Sequence, residues 1–350
     1  MLKVGLVGFG MAAQVMHAPF LKVLPPYEVV AVLERNREDS KKLFPDATIV
    51  RSIEDLLQSD IDLVVITTPN ETHLPYALQA LAAGKHVVLE KPFTITSEDA
   101  EQLIQAGKAA GKILSVFQNR RYTADFLTIQ KVIEEGMLGS VHEYEAHYDR
   151  YRPDPKPGAW READSPGSGI LYDLGPHLID QALCLFGLPQ HITADIRRQR
   201  PHAVTDDYFD LRLDYGFTKV ILKAGMLVRE PGPRYSIHGT LGSFIKSGED
   251  PQEAILKTGQ LPTAPDWGCE PAELYGLLHT TVNGKEIREI YPSLQGGFGK
   301  YYQHLYDTIV NGAPLSERPE HGYNTIRLIE LAKESQEAKA TIPCTQLMAH

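Results

Sequence analysis

The amino-acid sequence predicts an α/β protein with two domains. The first is expected to be a doubly wound parallel sheet, and the second an α/β domain with a mostly antiparallel, open-faced sheet. The 350 residues suit two domains of ordinary size. In the first third of the chain, short apolar runs bounded by turn residues alternate with helical stretches, as expected for strands buried on both faces. Tyr208 to Tyr215 instead alternates apolar and charged residues, which is typical of a strand with one covered and one open face.

The first domain is predicted to span residues 1–118. Its strands are the apolar runs 2–7, 28–33, 62–66, 86–89 and 113–117. Helices are predicted at about 12–24, 72–83 and 97–111. Gly84 follows the helix at 72–83 and is a typical residue for the position just after a helix. Thr96 precedes the helix at 97–111 and is predicted to be its N-cap. The alternation predicts a parallel sheet with right-handed crossovers.

The second domain, residues 119–350, has longer strand-like runs. Besides 208–215, strands are predicted at 141–151, 219–228 and 234–238, the last followed by a turn at 239–242. Helices are predicted at about 175–186, 300–311 and 322–339. The segment 152–169 is rich in proline and glycine and is predicted to be a functional loop, because long irregular loops in compact domains commonly cover or bind ligands.

Composition excludes several classes of function. The net charge of −10 repels phosphate backbones and anionic lipids, so neither a nucleic-acid nor a membrane partner is expected. The 3 cysteines are widely separated, and no apolar run approaches the roughly 20 residues that span a bilayer. Both features favour a cytoplasmic protein with reduced thiols. The 13 histidines show no H-x-x-x-H or H-E-x-x-H spacing, so no metal is expected.

A glycine turn follows the first predicted strand. Residues 8–13, Gly-Phe-Gly-Met-Ala-Ala, match G-x-G-x-x-G/A. The first glycine permits a tight turn, the second allows close approach of a pyrophosphate, and the helix amino end attracts the phosphates. The pattern predicts a dinucleotide site that includes Gly8, Gly10, Met11 and Ala12.

The end of the second strand carries two opposite signals for the choice of dinucleotide. Glu34 would bind the ribose hydroxyls and repel a 2′-phosphate, which favours NAD. The next residue, Arg35, would pair with that phosphate, which favours NADP. The sequence therefore predicts NAD or NADP without deciding between them.

The carboxyl ends of the strands predicted at 62–66 and 86–89 are expected to line the same crevice, since ligands of open parallel sheets bind there. After the strand at 62–66 the candidate cofactor contacts are Thr68, Pro69, Asn70 and His73. The strand at 86–89 is followed by Glu90-Lys91-Pro92, which places Lys91 where it can act on a substrate.

A helix in the second domain begins at Asp173-Leu174-Gly175-Pro176-His177. Pro176 is tolerated only in the first turn, which predicts Asp173 as the N-cap and His177 one turn later on the same face. The helix dipole disfavours an imidazolium at this end, so His177 is expected to be neutral and able to accept a proton. A neighbouring carboxylate would hold its tautomer.

Together the glycine turn, Glu90-Lys91-Pro92 and Asp173-x-x-x-His177 resemble the glucose–fructose oxidoreductase / inositol dehydrogenase (Gfo/Idh/MocA) family. The stretches 115–121, 166–177 and 266–268 are most similar to its NADP-dependent scyllo-inositol dehydrogenase-like branch. The resemblance covers nearly the whole chain. It implies an N-terminal Rossmann domain, a substrate-binding and oligomerisation domain, and a homodimer or homotetramer. The implied activity interconverts a secondary alcohol and a ketone on a cyclic polyol or sugar. NADP-preferring relatives usually lack an acidic residue at the position of Glu34.

The resemblance also implies roles for individual residues. Lys91 would hold the substrate hydroxyl, His177 would be the general acid/base, and Asp173 would be its carboxylate partner. Glu90 and Asn70 would contact the cofactor. Weaker candidates for lining the substrate site are Arg121, Trp160, Arg161 and Tyr172.

Two other functions fit the same fold. One is a glycosidase that keeps a bound NAD for a transient oxidation, and the other is a cofactor-binding sensor without chemistry. The joint presence of Lys91, Asp173 and His177 favours an enzyme over a sensor. Which polyol or sugar is used depends on pocket shape rather than on these motifs.

Overall fold

The computed structural model describes residues 1–349, which fall into two compact units. The first unit comprises Met1–Tyr122, Pro251–Trp267 and Gly297–Tyr323. The second comprises Thr123–Asp250, Gly268–Gly296 and the segment from Asn324 onward. Two later segments of the polypeptide thus belong to the first unit, which local sequence patterns do not indicate. The predicted domains, residues 1–118 and 119–350, stay a prediction.

The strands lie close to the predicted runs. In chain order they are β1 (Leu2–Val7), β2 (Tyr27–Leu33), β3 (Thr48–Val50), β4 (Leu63–Ile66), β5 (His86–Leu89), β6 (Leu114–Val116), β7 (Val141–Asp149), β8 (His191–Arg197), β9 (Tyr208–Asp214), β10 (Lys219–Gly225), β11 (Tyr235–Gly239), β12 (Gly242–Lys246), β13 (Gly276–Val282), β14 (Lys285–Tyr291) and β15 (Ile342–Pro343).

The α-helices are α1 (Ala18–Val23), α2 (Ile53–Gln58), α3 (His73–Ala82), α4 (Ser97–Ala110), α5 (Ala124–Glu134), α6 (Ile170–Asp173), α7 (Gly175–Phe186), α8 (Gln252–Leu256), α9 (Gly299–Asn311) and α10 (Pro319–Ala338). No helix in the described part of the chain is both long enough and apolar enough to span a membrane.

The first unit contains a parallel sheet with strand order β3-β2-β1-β4-β5-β6. This order, with its reversal beside β1, is that of a doubly wound dinucleotide-binding fold, so the predicted fold class is confirmed. The carboxyl ends of β1 and β4 are joined directly, because the Thr67 hydroxyl donates to the Val7 carbonyl at 3.1 Å. The short elements β3 and α2 were not predicted.

The helix predicted at 12–24 has two parts. It begins as a π-helical turn, Ala13–His17, and continues as α1, with Pro19 in its first turn. Proline has no N–H to donate to the preceding turn, so the hydrogen-bond pattern changes at this point. Such π turns are uncommon and are often found at functional sites.

The second unit contains a mixed sheet with order β14-β13-β12-β11-β7-β10-β9-β8-β15. Within this sheet, β7 and β10 are the only described strands that pair in parallel, and all other pairs are antiparallel. The predicted, mostly antiparallel sheet is therefore confirmed. On β9, Phe209, Leu211 and Leu213 are buried whereas Arg212 and Asp214 are exposed. Helix α7 packs against β10 in this unit.

Candidate active site

The glycine turn of the first unit has one strained and one open glycine. Gly8 has φ +89°, and a Cβ there would lie 2.9 Å from Cγ2 of Thr68. A Cβ on Gly10 would meet no protein atom within 4 Å. The third small residue, Ala13, is fully buried. The turn thus leaves space beside Gly10 for close approach of a ligand, which fits a dinucleotide pyrophosphate. Of its neighbours, Met11 is exposed and Ala12 half-buried.

Glu34 is turned into its own loop. The residue is 6% exposed, and its carboxylate accepts hydrogen bonds from the backbone N–H groups of Asp39 and Ser40, both at 3.0 Å, and from the Ser40 hydroxyl. Three donors within the loop thus engage the carboxylate, which stabilises the loop. The predicted contact between Glu34 and a ribose stays a prediction.

Arg51 holds the same loop from outside. Its Nη1 donates to the carbonyls of Glu34 at 2.6 Å and Arg37 at 2.8 Å, and its Nη2 lies 2.6 Å from Oε1 of Glu38. Arg35 and Arg37 remain exposed on the loop. The exposed residues of the loop thus include two arginines and one carboxylate, Glu38, which is paired with Arg51.

His73 joins the loops that follow β4 and β5. Its Nδ1 lies 3.0 Å from the Pro92 carbonyl and its Nε2 lies 3.0 Å from the Thr68 carbonyl. Burial lowers the pKa of His73, and a neutral ring donates to only one of these two carbonyls. His73 therefore positions the two loops. Asn70 is buried and Pro69 is exposed, and the predicted contacts of these residues with a cofactor stay predictions.

Glu90 is buried, and both of its carboxylate oxygens are engaged by the protein. Its Oε1 lies 2.8 Å from Nε2 of His17, and its Oε2 accepts the Lys91 backbone N–H at 3.0 Å. Burial by itself would raise the pKa of Glu90, but the hydrogen bond from His17 and the surrounding charges hold it below its ordinary value. The sequence reasoning missed His17. Its only signal was its spacing of four residues from the buried Ala13, on the same helix face.

The second unit corrects one prediction about the Asp173-x-x-x-His177 motif. Asp173 is the last residue of α6, and Leu174, not Asp173, is the N-cap of α7. The chain forms two short helices here because Gly169, at φ +88°, already opens a helix four residues earlier. Pro176 lies in the first turn of α7, as predicted, and His177 is buried at the start of that helix.

Asp173 is paired with the loop that precedes it. Nε of Arg161 donates to Oδ1 of Asp173 at 3.0 Å, and the Arg161 guanidinium lies 4.5 Å from the ring centroid of Trp160. Three predicted site residues, Trp160, Arg161 and Asp173, thus lie together within the second unit. The predicted role of Asp173 as the carboxylate partner of His177 stays a prediction.

The loop 152–169 is anchored by a buried arginine. Arg200 Nη2 lies 2.6 Å from Glu162, and Arg200 Nε lies 3.0 Å from Asp207. An open cavity of about 500 Å³ lies along the loop, lined by Asp154 to Trp160, Glu162, Ala163 and His202. Arg200 thus holds the loop at Glu162, and the segment before Glu162 lines the open cavity. The predicted functional role of the loop stays a prediction.

The two remaining candidates for substrate contact have protein partners. In the first unit, Arg121 donates to the Ser316 carbonyl at 3.1 Å and lies 3.1 Å from Nδ1 of His321. In the second unit, Tyr172 is 4% exposed, and its ring lies 4.4 Å from the Lys333 ammonium. Both residues stay weak candidates.

Two residues near His177 were not predicted. The ring of Tyr148, on β7, lies 6.2 Å from that of His177. The buried guanidinium of Arg234 lies 3.3 Å from the centroid of the Tyr148 ring. From sequence alone, an aromatic residue such as Tyr148 at an alternate position of a strand is predicted to lie in the hydrophobic core. The pattern therefore gave no functional signal.

Family models match both parts of the chain. Residues 2–118 match the model described as an oxidoreductase family, NAD-binding Rossmann fold. Residues 130–344 match the model for the C-terminal alpha/beta domain of the same oxidoreductase family.

The chain is also similar to individual proteins, to some of them over nearly its whole length. It is 44% identical over 343 residues to the scyllo-inositol 2-dehydrogenase (NADP(+)) IolW of Bacillus subtilis, covering 97% of this chain and 95% of that protein. A D-glucoside 3-dehydrogenase from Escherichia coli is 28% identical over 54% of this chain and 55% of its own length. The solved structure of yvaA from Bacillus subtilis has a TM-score of 0.95 at 43% identity, with 98% of each chain covered. An oxidoreductase from Bacillus cereus has a TM-score of 0.90 at 35% identity, also with 98% of each chain covered.

Proposed function

Because the chain belongs to the Gfo/Idh/MocA oxidoreductase family and is an NAD(P)-dependent dehydrogenase, we propose that it oxidises a secondary alcohol of a cyclic polyol or reduces the corresponding ketone. The substrate class proposed first is the inositols, because the relative at 44% identity is a scyllo-inositol 2-dehydrogenase. Sugars are the second class, since a D-glucoside 3-dehydrogenase is a more distant relative.

One observation carries this proposal. In the first unit, the open space beside Gly10 and the segment of the buried Glu90 and the half-buried Lys91 both follow strands of one parallel sheet at their carboxyl ends. That edge is where open α/β sheets bind their ligands. A bound dinucleotide and a lysine ammonium are what an alcohol oxidation needs, namely a hydride acceptor and a charge that stabilises the alkoxide.

The proposed mechanism divides the work among three side chains. The turn at Gly8 and Gly10 would hold the dinucleotide, whose nicotinamide would supply the hydride acceptor for the oxidation of the carbinol carbon. Lys91 donates a hydrogen bond to the substrate oxygen and stabilises its developing negative charge. His177 removes the hydroxyl proton as the C–H bond breaks, so that the alcohol becomes a ketone. Asp173 lies near the start of α7, and its Oδ1 accepts a hydrogen bond from Nε of Arg161.

The test is substrate-dependent absorbance at 340 nm, with NAD and NADP in parallel and a panel of inositols and sugars. Reduction of one cofactor by an inositol is the expected result. Tight cofactor binding in calorimetry without reduction by any polyol would contradict the proposal. Hydrolysis of a glycoside without added cofactor would then favour the NAD-dependent glycosidase, and its absence would favour the sensor.

We propose NADP as the preferred cofactor. The Glu34 carboxylate, which would repel a 2′-phosphate, is occupied by Asp39 and Ser40, whereas Arg35 is exposed. Charge-assisted hydrogen bonds to a phosphate contribute about 1.5–3 kcal/mol. Arg35→Ala is therefore expected to lower kcat/KM for NADP by about tenfold or more while changing the value for NAD by less than about threefold.

The control for this prediction is Lys42→Ala. Lys42 is exposed on the same segment and pairs with Asp39. Its replacement by alanine therefore removes one positive charge and leaves Arg35 in place. Equal losses in the two variants would mean that only the general positive charge of the loop matters. No change in the NADP-to-NAD ratio in Arg35→Ala would contradict the assignment of the 2′-phosphate site.

The two glycines of the turn predict opposite outcomes. Gly8→Ala is expected to destabilise the protein by about 1–2 kcal/mol, because alanine at φ +89° is strained and its Cβ would lie 2.9 Å from Thr68. Gly10→Ala is expected to leave the free energy of unfolding nearly unchanged but to weaken dinucleotide binding, since its Cβ would enter only open space. Denaturant melts and calorimetry of the two variants, measured together, test both. A large stability loss in Gly10→Ala would contradict this interpretation.

We also propose that the protein acts in the cytoplasm as a homodimer or homotetramer. The open face of the sheet in the second unit carries a network of charges in which His147 lies between Glu145 and Asp149, at 2.8 and 2.9 Å. Such a face suits association with a second copy. Light scattering after size-exclusion chromatography tests the oligomeric state, and a monomer at micromolar concentration would contradict it.

A further inference from the structure

A buried chain of hydrogen bonds in the first unit ends at the backbone of Lys91. The hydroxyl of Tyr302, on α9, lies 2.6 Å from Nδ1 of His17. Nε2 of His17 lies 2.8 Å from Oε1 of Glu90, and Oε2 of Glu90 accepts the Lys91 N–H at 3.0 Å. His17 and Tyr302 are fully buried, and Glu90 is nearly so. This series of hydrogen bonds thus joins His17 to Tyr302, which lie 285 positions apart in the sequence.

The donors and acceptors in this chain define one direction. A carboxylate only accepts, so the Nε2 of His17 carries the proton that is donated to Glu90. The Tyr302 hydroxyl can donate to the other ring nitrogen, Nδ1, when that nitrogen carries no proton. Burial raises the pKa of Tyr302 well above its ordinary value, so the phenol stays protonated and able to donate. Each buried polar atom of the chain has a partner, as expected for a network that holds one arrangement.

The surroundings leave the His17 ring little freedom. His17 ends the π-helical turn that follows the glycine turn, which directs its side chain inward. Its ring lies 4.0 Å from that of Phe117, between centroids. On the other side, the Tyr27 hydroxyl donates to the Tyr302 carbonyl at 2.7 Å and holds that part of α9. A ring held by packing and by both nitrogens is well suited to orient another side chain.

We propose that His17 is a positioning residue, which acts through Glu90 to hold the backbone of Lys91 in the orientation that the reaction requires. The proposal rests on the dehydrogenase function proposed above. His17 does not touch the substrate in this role. It keeps Glu90 in place, Glu90 holds the Lys91 N–H, and the lysine side chain leaves the backbone in a constant direction. Tyr302 in turn holds the tautomer of His17.

The charge on Glu90 belongs to the same arrangement. The titratable groups that face it are His17, Lys91, His73, Tyr301 and Tyr302. Without the donor from His17, burial of Glu90 is opposed only by the charges of Lys91 and His73, so its pKa rises. A protonated Glu90 presents a hydroxyl in place of one acceptor oxygen, which weakens its hold on the Lys91 N–H.

The test uses two variants of His17 and one of Glu90. His17→Leu removes both ring nitrogens at similar volume, whereas His17→Gln retains an N–H donor for Glu90 and an acceptor for Tyr302. We expect His17→Leu to lower kcat by about tenfold or more and His17→Gln to recover most of the loss. In a Glu90→Gln background, His17→Leu is expected to have little further effect, because His17 acts through Glu90.

A purely structural role would give a different pattern. It would make the losses in His17→Leu and Glu90→Gln multiply in the double variant, and His17→Gln would not rescue activity. Either result would overturn the proposal. Thermal melts of each variant, with calorimetric affinity for the cofactor, identify any loss that comes from unfolding.

A second measurement does not depend on activity. The amide N–H signal of Lys91 in the NMR spectrum of the cofactor-free protein reports its hydrogen bond to Glu90 directly. We expect the signal to shift in His17→Leu and to return toward its original position in His17→Gln. An unchanged Lys91 amide in His17→Leu overturns the proposal even if the protein turns over no polyol. A wild-type protein without turnover but with this coupling would instead contradict only the proposed function.

Discussion

Replacing His177 by alanine is expected to lower kcat by about 10²–10⁴-fold, the contribution of a positioned general base. His177 lies buried at the start of α7. The affinity for NADP should stay within a few-fold of wild type, since in the proposed mechanism His177 acts on the substrate proton and not on the dinucleotide. Steady-state kinetics and calorimetry on the same preparation measure both quantities.

His279→Ala is the matched control. His279 lies on β13 in the second unit, is exposed, and pairs with Glu286 at 2.7 Å, so the same substitution there should leave kcat nearly unchanged. His177→Ala should unfold at a somewhat lower denaturant concentration than His279→Ala, because only the first substitution removes packing at a buried site. A His177→Ala enzyme that keeps kcat within a few-fold of wild type would remove His177 from the role of base.

Lys91→Met is expected to lower kcat/KM by about 10²–10³-fold, as found for loss of one donor to a developing oxyanion. Methionine keeps most of the length and the apolar stem of lysine but has no charge. The backbone N–H of Lys91 stays anchored on Glu90, so the loop after β5 should keep its conformation. The loss should therefore appear in turnover of the polyol and not in the free energy of unfolding.

Two comparisons sharpen this second experiment. Lys91→Arg keeps the positive charge but changes its shape, so it should recover part of the activity if charge on the substrate oxygen is what matters. Lys108→Met removes a charge from an exposed position of α4 in the same unit and should have no effect on kcat/KM. Equal activity of Lys91→Met and wild type would show that the ammonium has no part in the reaction.

Several features followed from local patterns alone. The apolar runs predicted β1, β2, β4, β5 and β6, because strands buried on both faces need continuous apolar residues. The alternation at Tyr208 to Tyr215 predicted a half-open sheet, because side chains of a strand point alternately to its two faces. The start of α4 followed from Thr96, whose hydroxyl accepts the Asp99 N–H at 3.1 Å.

Two kinds of feature could not be predicted from local patterns: very short strands, and late segments that belong to the first unit. The strand β3 has three residues, too few for a period to be recognised. The segments 251–267 and 297–323 belong to the first unit, although they follow more than 100 residues of the second. Membership of a compact unit depends on which apolar faces meet, and a local pattern specifies only that such a face exists.

The candidate site shows the same division at the level of single side chains. The sequence by itself determined the glycine turn, the positions of Lys91 and His177 in their motifs, and the class of fold, since each depends on residues close together in the chain. Only the tertiary structure decided where the carboxylates point. Glu34 turns to Asp39 and Ser40, and Asp173 turns to Arg161.

The chain from Tyr302 through His17 to Glu90 was decided by the tertiary structure as well, because it joins three segments that are distant in sequence. The physical reason is common to all these cases. A buried carboxylate or imidazole must find partners for its hydrogen bonds, and the donors within reach are set by the packing of the whole unit.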